Sequence, residues 1–197
     1  MESSIKEIIP ILGTSMDGGF YAGRIKVDGQ PFALILLPKA EGEHQGVWIP
    51  KYKDVPGSKS FSDGLANTQA MADAGSALAK KAIDLGAYIP ARDELEVIYR
   101  NLKPTTRENY CYMRSGINLN AIEPTSPYTP DFPLQTQAEL FQSGGAEAFA
   151  EEAYWTSTQY ASDSGYAWYQ DFSLGDQSFA YEGDELRARF VRRLTIL

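Results

Sequence analysis

The sequence predicts an α+β fold in which helices are segregated from antiparallel strands. A β-hairpin signal lies near the N-terminal end, two helical patterns occupy the middle of the chain, and short strand-like runs fill the C-terminal part. Strands that follow one another in runs, apart from the helices, are typical of α+β proteins rather than of doubly wound sheets. The 197 residues suffice for one core, so we predict a single domain over residues 1–197.

The first predicted element is a β-hairpin at about residues 19–37. Two runs rich in β-branched and aromatic residues flank Asp28-Gly29. This dipeptide tolerates the positive φ angles that a two-residue turn requires, so strands are predicted near 19–27 and 31–37. A loop rich in Pro and Gly is predicted to follow, through about residue 62.

Two helices are predicted in the middle of the chain. Apolar residues recur at helical spacing between Asp63, a candidate N-cap, and Gly86, a candidate terminator. A second helix is predicted to end before Pro104, and its buried face to consist of Leu95, Ile98, Tyr99 and Leu102. Residues 104–133 are rich in Pro and predict a long ordered loop, and a short third helix is expected at 135–142.

After Ala153 the pattern changes to short strands separated by turn residues. The runs AYWTST, YAWYQDF, QSFAY and RARFVRRL predict an antiparallel meander over about residues 153–194. The last run contains four arginines, which we expect to lie on one strand face and to pair with local carboxylates rather than to form a basic docking patch: Arg187, Arg189, Arg192 and Arg193.

Composition and charge limit the classes of function. A formal net charge of −8 argues against a nucleic-acid partner, because phosphate binding requires clustered Lys and Arg. Cys111 is the sole cysteine, so neither an internal disulfide nor a thiolate metal site is expected. No signal peptide and no run of membrane-spanning length is recognised, so we expect a protein that is cytoplasmic when synthesised and does not insert into membranes.

A search for catalytic motifs identifies none, so we predict no catalytic residues, no cofactor and no metal, and a protein that is not an enzyme. The single histidine, His44, is expected to be an exposed loop residue, and no serine lies in a nucleophile-elbow motif. Acidic residues between Asp163 and Glu185 keep calcium open as an alternative, although no EF-hand spacing occurs.

The segment from Tyr160 to Tyr181 has an unusual composition. Its 22 residues include four Tyr, four Ser and three Asp but no Lys, Arg, Val or Ile. Tyr with Ser and Asp is also the mixture found in antibody paratopes. Period-2 alternation predicts one face anchored by Trp168, Phe172 and Phe179, and an opposite face that presents Tyr, Asp and Ser. On residues alone, a half-solvated sheet and a binding face are equally compatible with this pattern.

Several motifs in order give the chain a resemblance to a known family. They are GGFYAGRIKVDGQPFALILLPKAEGEH, DGLANTQAMADAGSALA, YIPARDELEVIYRNLKPT, YWTSTQ, AWYQDF and RARFVRRL. Together they resemble the DUF1566 or Lcl C-terminal-type family of phages and prophages over nearly the whole chain. That family is similar to C-type lectin-fold proteins, which include the formylglycine-generating enzyme and the variable proteins of diversity-generating retroelements.

The resemblance implies a C-type lectin-like fold of the formylglycine-generating-enzyme type, with antiparallel strands and two main helices. It also implies a receptor-binding or adhesin role, with a host cell-surface protein or glycan as partner, virion (phage tail) association and a possible homo-oligomer. One alternative is a structural tail component that uses the same face for assembly with other tail proteins. An enzyme related to formylglycine-generating enzymes is a third reading, but a lone Cys111 does not reproduce that cysteine chemistry.

The resemblance also assigns roles within the C-terminal segment. The residues expected to bind ligand are Tyr160, Ser162, Asp163, Tyr166, Tyr169, Asp171, Ser173, Asp176, Ser178 and Tyr181. Those expected to form the scaffold are Trp155, Trp168, Gln170, Phe172, Gly175 and Gln177. Retroelement mutagenesis turns AAY codons into NNY codons, which encode Tyr, Ser and Asp but not Trp or Gln. The interleaving is therefore compatible with diversification.

Overall fold

A computed structural model describes residues 9–196 of the chain. Within that range the strands are β1 Ser15–Met16, β2 Gly19–Val27, β3 Gln30–Leu36, β4 Glu43–Val47, β5 Ala153–Gln159, β6 Tyr166–Asp171, β7 Gln177–Tyr181, β8 Glu185–Arg189 and β9 Val191–Thr195. The α-helices are α1 Lys39–Gly42, α2 Gly64–Ala74, α3 Ala77–Asp84 and α4 Arg92–Leu102. The predicted α+β class is confirmed. No helix in residues 9–196 is long and apolar enough to cross a membrane.

The predicted N-terminal hairpin is present as β2 and β3. Asp28 and Gly29 form its turn with φ angles of 48° and 80°, the positive values that a tight two-residue turn requires. The hairpin belongs to a four-stranded antiparallel sheet with the order β1-β2-β3-β9. This sheet therefore joins the two ends of the described chain.

The second sheet has the order β4-β8-β5-β6-β7, and it corrects three predictions. Strand β4 forms where a loop was expected, and His44 lies in it with its ring 5.0 Å from that of Phe190. The run RARFVRRL forms two strands, β8 and β9, that belong to different sheets. The C-terminal strands are not a simple meander, because β8 lies beside β5 and pairs with it in parallel at Tyr154 and Arg187.

Phe190, between β8 and β9, marks the place where the two sheets meet. Its amide donates to the Gly42 carbonyl at 2.8 Å, and its carbonyl accepts from the Leu37 amide at 3.0 Å. Each sheet thus receives one half of a continuous arginine-rich run. The arginines do pair with carboxylates, but the predicted local partners and the single strand face are wrong. The partners come from distant segments: Arg187 with Glu43 and Glu152, Arg189 with Glu43 and Glu147, Arg192 with Asp17, and Arg193 with Asp63.

The long helix predicted between Asp63 and Gly86 is in fact two helices, α2 and α3. Gly75 adopts a φ of 108°, which ends α2, and the Ser76 hydroxyl then accepts from the Ala79 amide to begin α3. Asp63 caps α2 as predicted, through the Ala66 amide. Two apolar residues of the predicted single helix are 43% exposed: Leu65 and Leu85.

Helix α4 is confirmed with its predicted buried face, and the predicted third helix is wrong. All four predicted apolar residues of α4 are fully buried. Residues 135–142 form only a short 3-10 turn, Glu139–Phe141. The side-chain amides of Gln135 and Gln142 donate to the carbonyls of Pro104 and Thr136, and such side-chain bonds compete with helical ones.

Two hydrophobic cores meet at β5. Tyr154 packs with α4 and the first sheet, whereas the next residue, Trp155, packs with α2, α3 and Trp48. Consecutive residues of a strand point to opposite faces, so one strand supplies both cores. Strands β6 and β7 form the edge of this sheet that lies on the other side of β5 from β8 and β4.

Glu94 connects the starts of α2 and α4 from a fully buried position. Its carboxylate accepts from the Ala91 amide at 2.7 Å, from the Gly64 amide at 3.1 Å and from the Tyr88 hydroxyl at 2.8 Å. Burial raises the pKa of Glu94 from its ordinary 4.5 to about 7, because desolvation outweighs these hydrogen bonds. The folded protein therefore holds this proton more tightly than the unfolded chain does.

This raised pKa predicts a loss of stability as the pH rises. The stabilising contribution is complete below pH 4.5 and disappears as the pH passes about 7, and it amounts to about 3 kcal/mol. Glu94→Gln keeps an acceptor for the amides but does not titrate. When the pH is raised from 4 to 8, the free energy of unfolding of the variant, measured with urea, should thus rise by about 3 kcal/mol relative to that of the parent. Glu185→Gln, which removes an exposed carboxyl, is the control for the loss of one charge. If the free energies of unfolding of Glu94→Gln and of the parent changed with pH in parallel, the prediction would be contradicted.

Candidate functional site

Strands β6 and β7 present a face that is covered by aromatic side chains. Directly opposed residues of an antiparallel pair share a face, and the register opposes Tyr166 to Tyr181 and Trp168 to Phe179. Rings from the end of β5 and from the loop before α2 extend this group. We call it the aromatic strip, and its members are Phe61, Tyr160, Tyr166, Trp168, Phe179 and Tyr181.

The rings of the aromatic strip are in continuous contact. Tyr160 stacks on Phe179 with a centroid distance of 4.2 Å and an interplanar angle of 14°. Trp168 meets Tyr160 edge to face at 5.5 Å, and Tyr166 meets Phe179 in the same way at 5.6 Å. Offset and edge-to-face pairs are the favoured aromatic geometries, so the strip is a preformed surface.

This arrangement corrects the predicted division of faces. Trp168 and Phe179 were expected to face away from the tyrosines, but Tyr166 and Tyr181 lie on the same side as both. The reason is the strict period of two, which puts residues 166, 168 and 170 together; the predicted sets broke that period between 167 and 168. Trp168 is therefore a member of the aromatic strip that lies beneath the more exposed rings, with 5% of its surface exposed.

The tyrosines of the strip differ from the buried tyrosines in their hydroxyl groups. The hydroxyls of buried Tyr88, Tyr99, Tyr128 and Tyr154 all bind protein partners. In residues 9–196 no hydrogen bond is made by the hydroxyls of the three strip tyrosines, Tyr160, Tyr166 and Tyr181. Tyr181 is 48% exposed, and Phe61 is 39% exposed. The strip thus combines accessible ring surface with uncommitted hydroxyls.

Gln159 holds the end of the strip in place. Its side-chain amide donates to the carbonyls of Lys53 and Ser164 and to the Glu182 carboxylate, while its oxygen accepts from the Val55 amide at 2.9 Å. Gln159 is fully buried, and Tyr160 follows it directly. Four segments of chain therefore meet at one side chain beneath the strip.

Arg92, the first residue of α4, lies against the other end of the strip. Its guanidinium carbon is 4.1 Å from the Trp168 ring centroid and 4.7 Å from that of Phe61. The Arg92 amide donates to the Thr158 hydroxyl, its carbonyl accepts from the Gln177 side chain, and Nη2 donates to the Met113 carbonyl. Burial lowers the pKa of Arg92 from its ordinary value. A cation is therefore fixed beside the rings.

The turn between β6 and β7 uses several predicted ligand-binding residues for its own structure. One carboxylate oxygen of Asp171 accepts from the Ser173 amide and hydroxyl and from the Leu174 amide. Asp176 is half-buried, and its carbonyl accepts from Asp171. Asp171 and Ser173 thus form a turn cap away from the strip, which corrects their predicted place on a common display face.

Two further predicted ligand residues lie on the opposite face of the sheet. Tyr169 and Ser178 are cross-strand partners, and Tyr169 packs against the core that contains Trp155. Asp163 and Ser162 are exposed in the turn beside the strip, where the Asp163 carboxylate accepts from the Gly165 amide at 3.0 Å. Of the ten predicted residues, the structure brings to the strip and its adjoining turn Tyr160, Ser162, Asp163, Tyr166 and Tyr181.

The predicted scaffold residues are buried and carry structural contacts. Gln170 donates to the carbonyls of Gly175 and Asp176, which closes the turn between β6 and β7. Gly175 has a φ of 86°, and a Cβ there would lie 2.2 Å from the Tyr128 hydroxyl oxygen. Phe172 stacks on Phe149 in the first core. The scaffold assignment is consistent with these positions, except that Trp168 also belongs to the strip.

Two cavities in residues 9–196 lie away from the aromatic strip. One of about 190 Å³ is lined by residues that include Tyr21, Val97 and Ile122. Another, of about 550 Å³, lies beside Phe132 and Gln135. In residues 9–196 no three His, Cys, Asp or Glu side chains come together as metal ligands. The surface at the strip is therefore an open face suited to an extended ligand rather than a pocket.

Phe61, Phe179, Arg92 and Gln159 belong to the site but were not among the predicted ligand or scaffold residues. Phe179 was expected to face the core, and period-2 counting from Tyr181 would have placed it on the strip. Phe61 and Arg92 come from segments far along the chain, and no local pattern connects them with β6. The Asp93 amide donates to the Phe61 carbonyl at 2.8 Å, a contact that only the folded chain brings about.

The chain was compared with protein-family models, with curated proteins and with solved structures, and none of the three comparisons gave a match. The geometry of the strip is therefore the basis for a functional conclusion.

Proposed function

We propose that this protein is a non-enzymatic ligand-binding module whose binding surface is the aromatic strip. The observation that carries this proposal is the combination of contiguous, partly exposed rings with tyrosine hydroxyls that have no partner in the described chain. Aromatic rings supply large contact area at low cost in rotamer entropy, and they dominate binding hot spots. A sheet covers the strip from behind, so the rings are held in one arrangement before a ligand arrives.

The resemblance to DUF1566-type proteins supports a biological setting for this module. We place it as a receptor-binding or adhesin-type component of a phage or prophage particle, with a C-type lectin-like fold and a host cell-surface protein or glycan as ligand. Two largely antiparallel sheets that both contact α4 are compatible with such a fold.

The positions of the strip residues also support diversification as a proposal. Tyr160, Tyr166, Phe179 and Tyr181 are residue types that an NNY codon encodes, whereas Trp168 beneath them is not. Variable side chains would thus lie above an invariant floor. A reverse transcriptase gene nearby and a near-copy of the 3′ coding end, differing at template adenines, are the expected findings; their absence from the surrounding DNA contradicts diversification alone.

Binding should be lost when the outermost rings of the strip are removed. Tyr166→Ala combined with Tyr181→Ala is expected to weaken binding about 100-fold, since each exposed hot-spot ring contributes about 1 to 2 kcal/mol. The measurement is binding of labelled protein to arrays of host-surface polysaccharides and outer-membrane proteins. Tyr110→Ala combined with Tyr112→Ala is the matched control, because these two exposed rings stack on each other outside the strip.

Two results would count against the proposal, one from this binding experiment and one from hydrogen exchange. Equal binding by a folded strip variant and the parent rejects the strip as the binding surface. Strong protection of the strip from hydrogen exchange in intact particles, with no ligand bound, favours the alternative role as an assembly interface. Circular dichroism and thermal unfolding of both double variants establish that they are folded.

A further inference from the structure

Arg92 is distinguished from other arginines of the chain by the absence of an acidic partner. Ion pairs to Asp or Glu are formed by Arg100, Arg107, Arg114, Arg187, Arg189, Arg192 and Arg193. Arg92 forms none with residues 9–196. In a chain with 26 acidic and 18 basic residues, an unpaired guanidinium is not explained by a shortage of carboxylates.

The guanidinium of Arg92 has N–H donors that make no hydrogen bond within the described chain. Nη2 binds the Met113 carbonyl at 2.9 Å, whereas Nη1 has no partner in the described chain and Nε is buried without one. The planar group lies over Trp168 and Phe61, so it is held beside the strip. Nη1 can therefore donate a charge-assisted hydrogen bond to a carboxylate at the strip.

The acidic groups nearest in sequence are already engaged elsewhere. Asp93 accepts from the Asn120 side chain at 2.8 Å. Glu96 accepts from Arg100, Arg114 and Asn118. Both carboxylates attract Arg92 over a longer distance, but neither forms an ion pair with it. The partial burial of this cation strengthens its attraction for an external anion.

We infer that the aromatic strip recognises an acidic sugar, with the sugar ring on the aromatic side chains and its carboxylate on Arg92. This inference rests on the proposed binding function and specifies the ligand class. A pyranose has a face of C–H groups that packs on the negative face of an aromatic ring. Its hydroxyls would find the uncommitted hydroxyls of Tyr160, Tyr166 and Tyr181. The strip lies along two neighbouring strands, an extended surface on which a chain of sugars could lie.

The overall charge of the protein restricts the form of this ligand. A formal net charge of −8 repels a densely charged polymer, since like charges reduce the rate and strength of encounter. One cation beside the strip therefore matches one carboxylate among neutral sugars. A uronic acid within an otherwise neutral repeat fits this pattern better than a polyanion does.

The experiment compares two oligosaccharides that differ in one group. One contains a uronic acid flanked by neutral sugars, and the other is its carboxyl-reduced form, in which the carboxylate has become a primary alcohol. An array of such matched pairs covers different neutral sugars. For at least one pair, we expect the carboxylated member to bind about tenfold more tightly, as judged by titration calorimetry, and this difference to shrink as salt is added.

Variants of Arg92 assign that difference to the guanidinium. Arg92→Gln should abolish the tenfold preference while leaving the residual binding of the neutral member, and Arg92→Lys should restore part of it. Arg107→Gln, which removes a 57% exposed arginine side chain elsewhere, is the matched control. The double tyrosine variant of the strip should bind neither member of the pair. Thermal unfolding of each variant tests whether the stacked arginine is needed for folding.

Each contrary result has a definite meaning. Equal binding of both members of every pair, or binding of none of the carboxylated members, overturns the inference. If a surface protein is bound instead and the strip variant abolishes that binding, the proposed function stands and the sugar ligand is rejected. If the strip variant binds like the parent, the proposed function fails first.

Discussion

Replacing Arg189 with Met should lower the free energy of unfolding by about 3 to 5 kcal/mol. The Arg189 side chain is completely buried, and Nη2 lies 2.5 Å from the Glu147 carboxylate. Nε donates to the Leu37 carbonyl at 2.9 Å, directly beside the place where the two sheets meet. Met fills similar volume, but it removes this partner from Glu147 and from the buried Leu37 carbonyl, and it also removes the ion pair with nearly buried Glu43.

A second substitution separates the cost of an orphaned charge from the cost of altered packing. Adding Glu147→Leu to Arg189→Met should recover part of the lost stability, because the unpaired carboxylate is removed. Arg107→Met is the matched control, because its exposed pair with Glu151 is worth at most about 1 kcal/mol. Urea unfolding provides the comparison, and a double variant less stable than Arg189→Met would contradict the buried-charge explanation.

Gln159→Ala should destabilise the fold by about 3 kcal/mol, because one truncation leaves several buried groups without partners. The Val55 amide, the carbonyls of Lys53 and Ser164, and the Glu182 carboxylate would each lose a hydrogen bond. Burial already raises the pKa of Glu182, so the loss of its donor leaves that carboxyl harder to ionise. Gln69→Ala is the control, since this exposed glutamine binds only Asp73.

The same substitution should affect the aromatic strip more than the rest of the molecule. Tyr160 follows Gln159, and the turn from Ser162 to Gly165 is fixed through the Ser164 carbonyl. Hydrogen exchange at residues 160–166 should thus become faster in Gln159→Ala than at α4 under conditions where the variant is folded. Uniform exchange across both regions would show that Gln159 supports the whole fold rather than this end of the strip.

Much of the fold could be predicted from local patterns. The Asp28-Gly29 turn, the capping by Asp63 and the buried face of α4 depend on neighbours a few residues away, and all three were predicted. The division of RARFVRRL between two sheets was not, because a single alternating run gives no sign that the chain changes partners at Phe190. The break at Gly75 was missed for a related reason: a glycine within a helical pattern is compatible with both a continuous helix and a stop.

The candidate site was predictable only in its central part. The tyrosines of β6, β7 and the end of β5 stood out by composition, and Gln170 and Gln177 were assigned to the scaffold. Asp171 and Ser173 have the same residue types as a binding loop, but a turn cap uses them equally well. Arg92 and Phe61 reach the strip through long-range packing of α4 and of the loop before α2, which no local pattern encodes.

The three glutamines beneath the site make their bonds mainly to backbone atoms. Gln159 holds the carbonyls of Lys53 and Ser164, Gln170 holds those of the turn after β6, and Gln177 holds that of Arg92. Backbone carbonyls are present whatever residue occupies a position, so the support does not depend on which side chains lie above it. A change of the side chains above these glutamines therefore leaves the hydrogen bonds of the supporting framework in place.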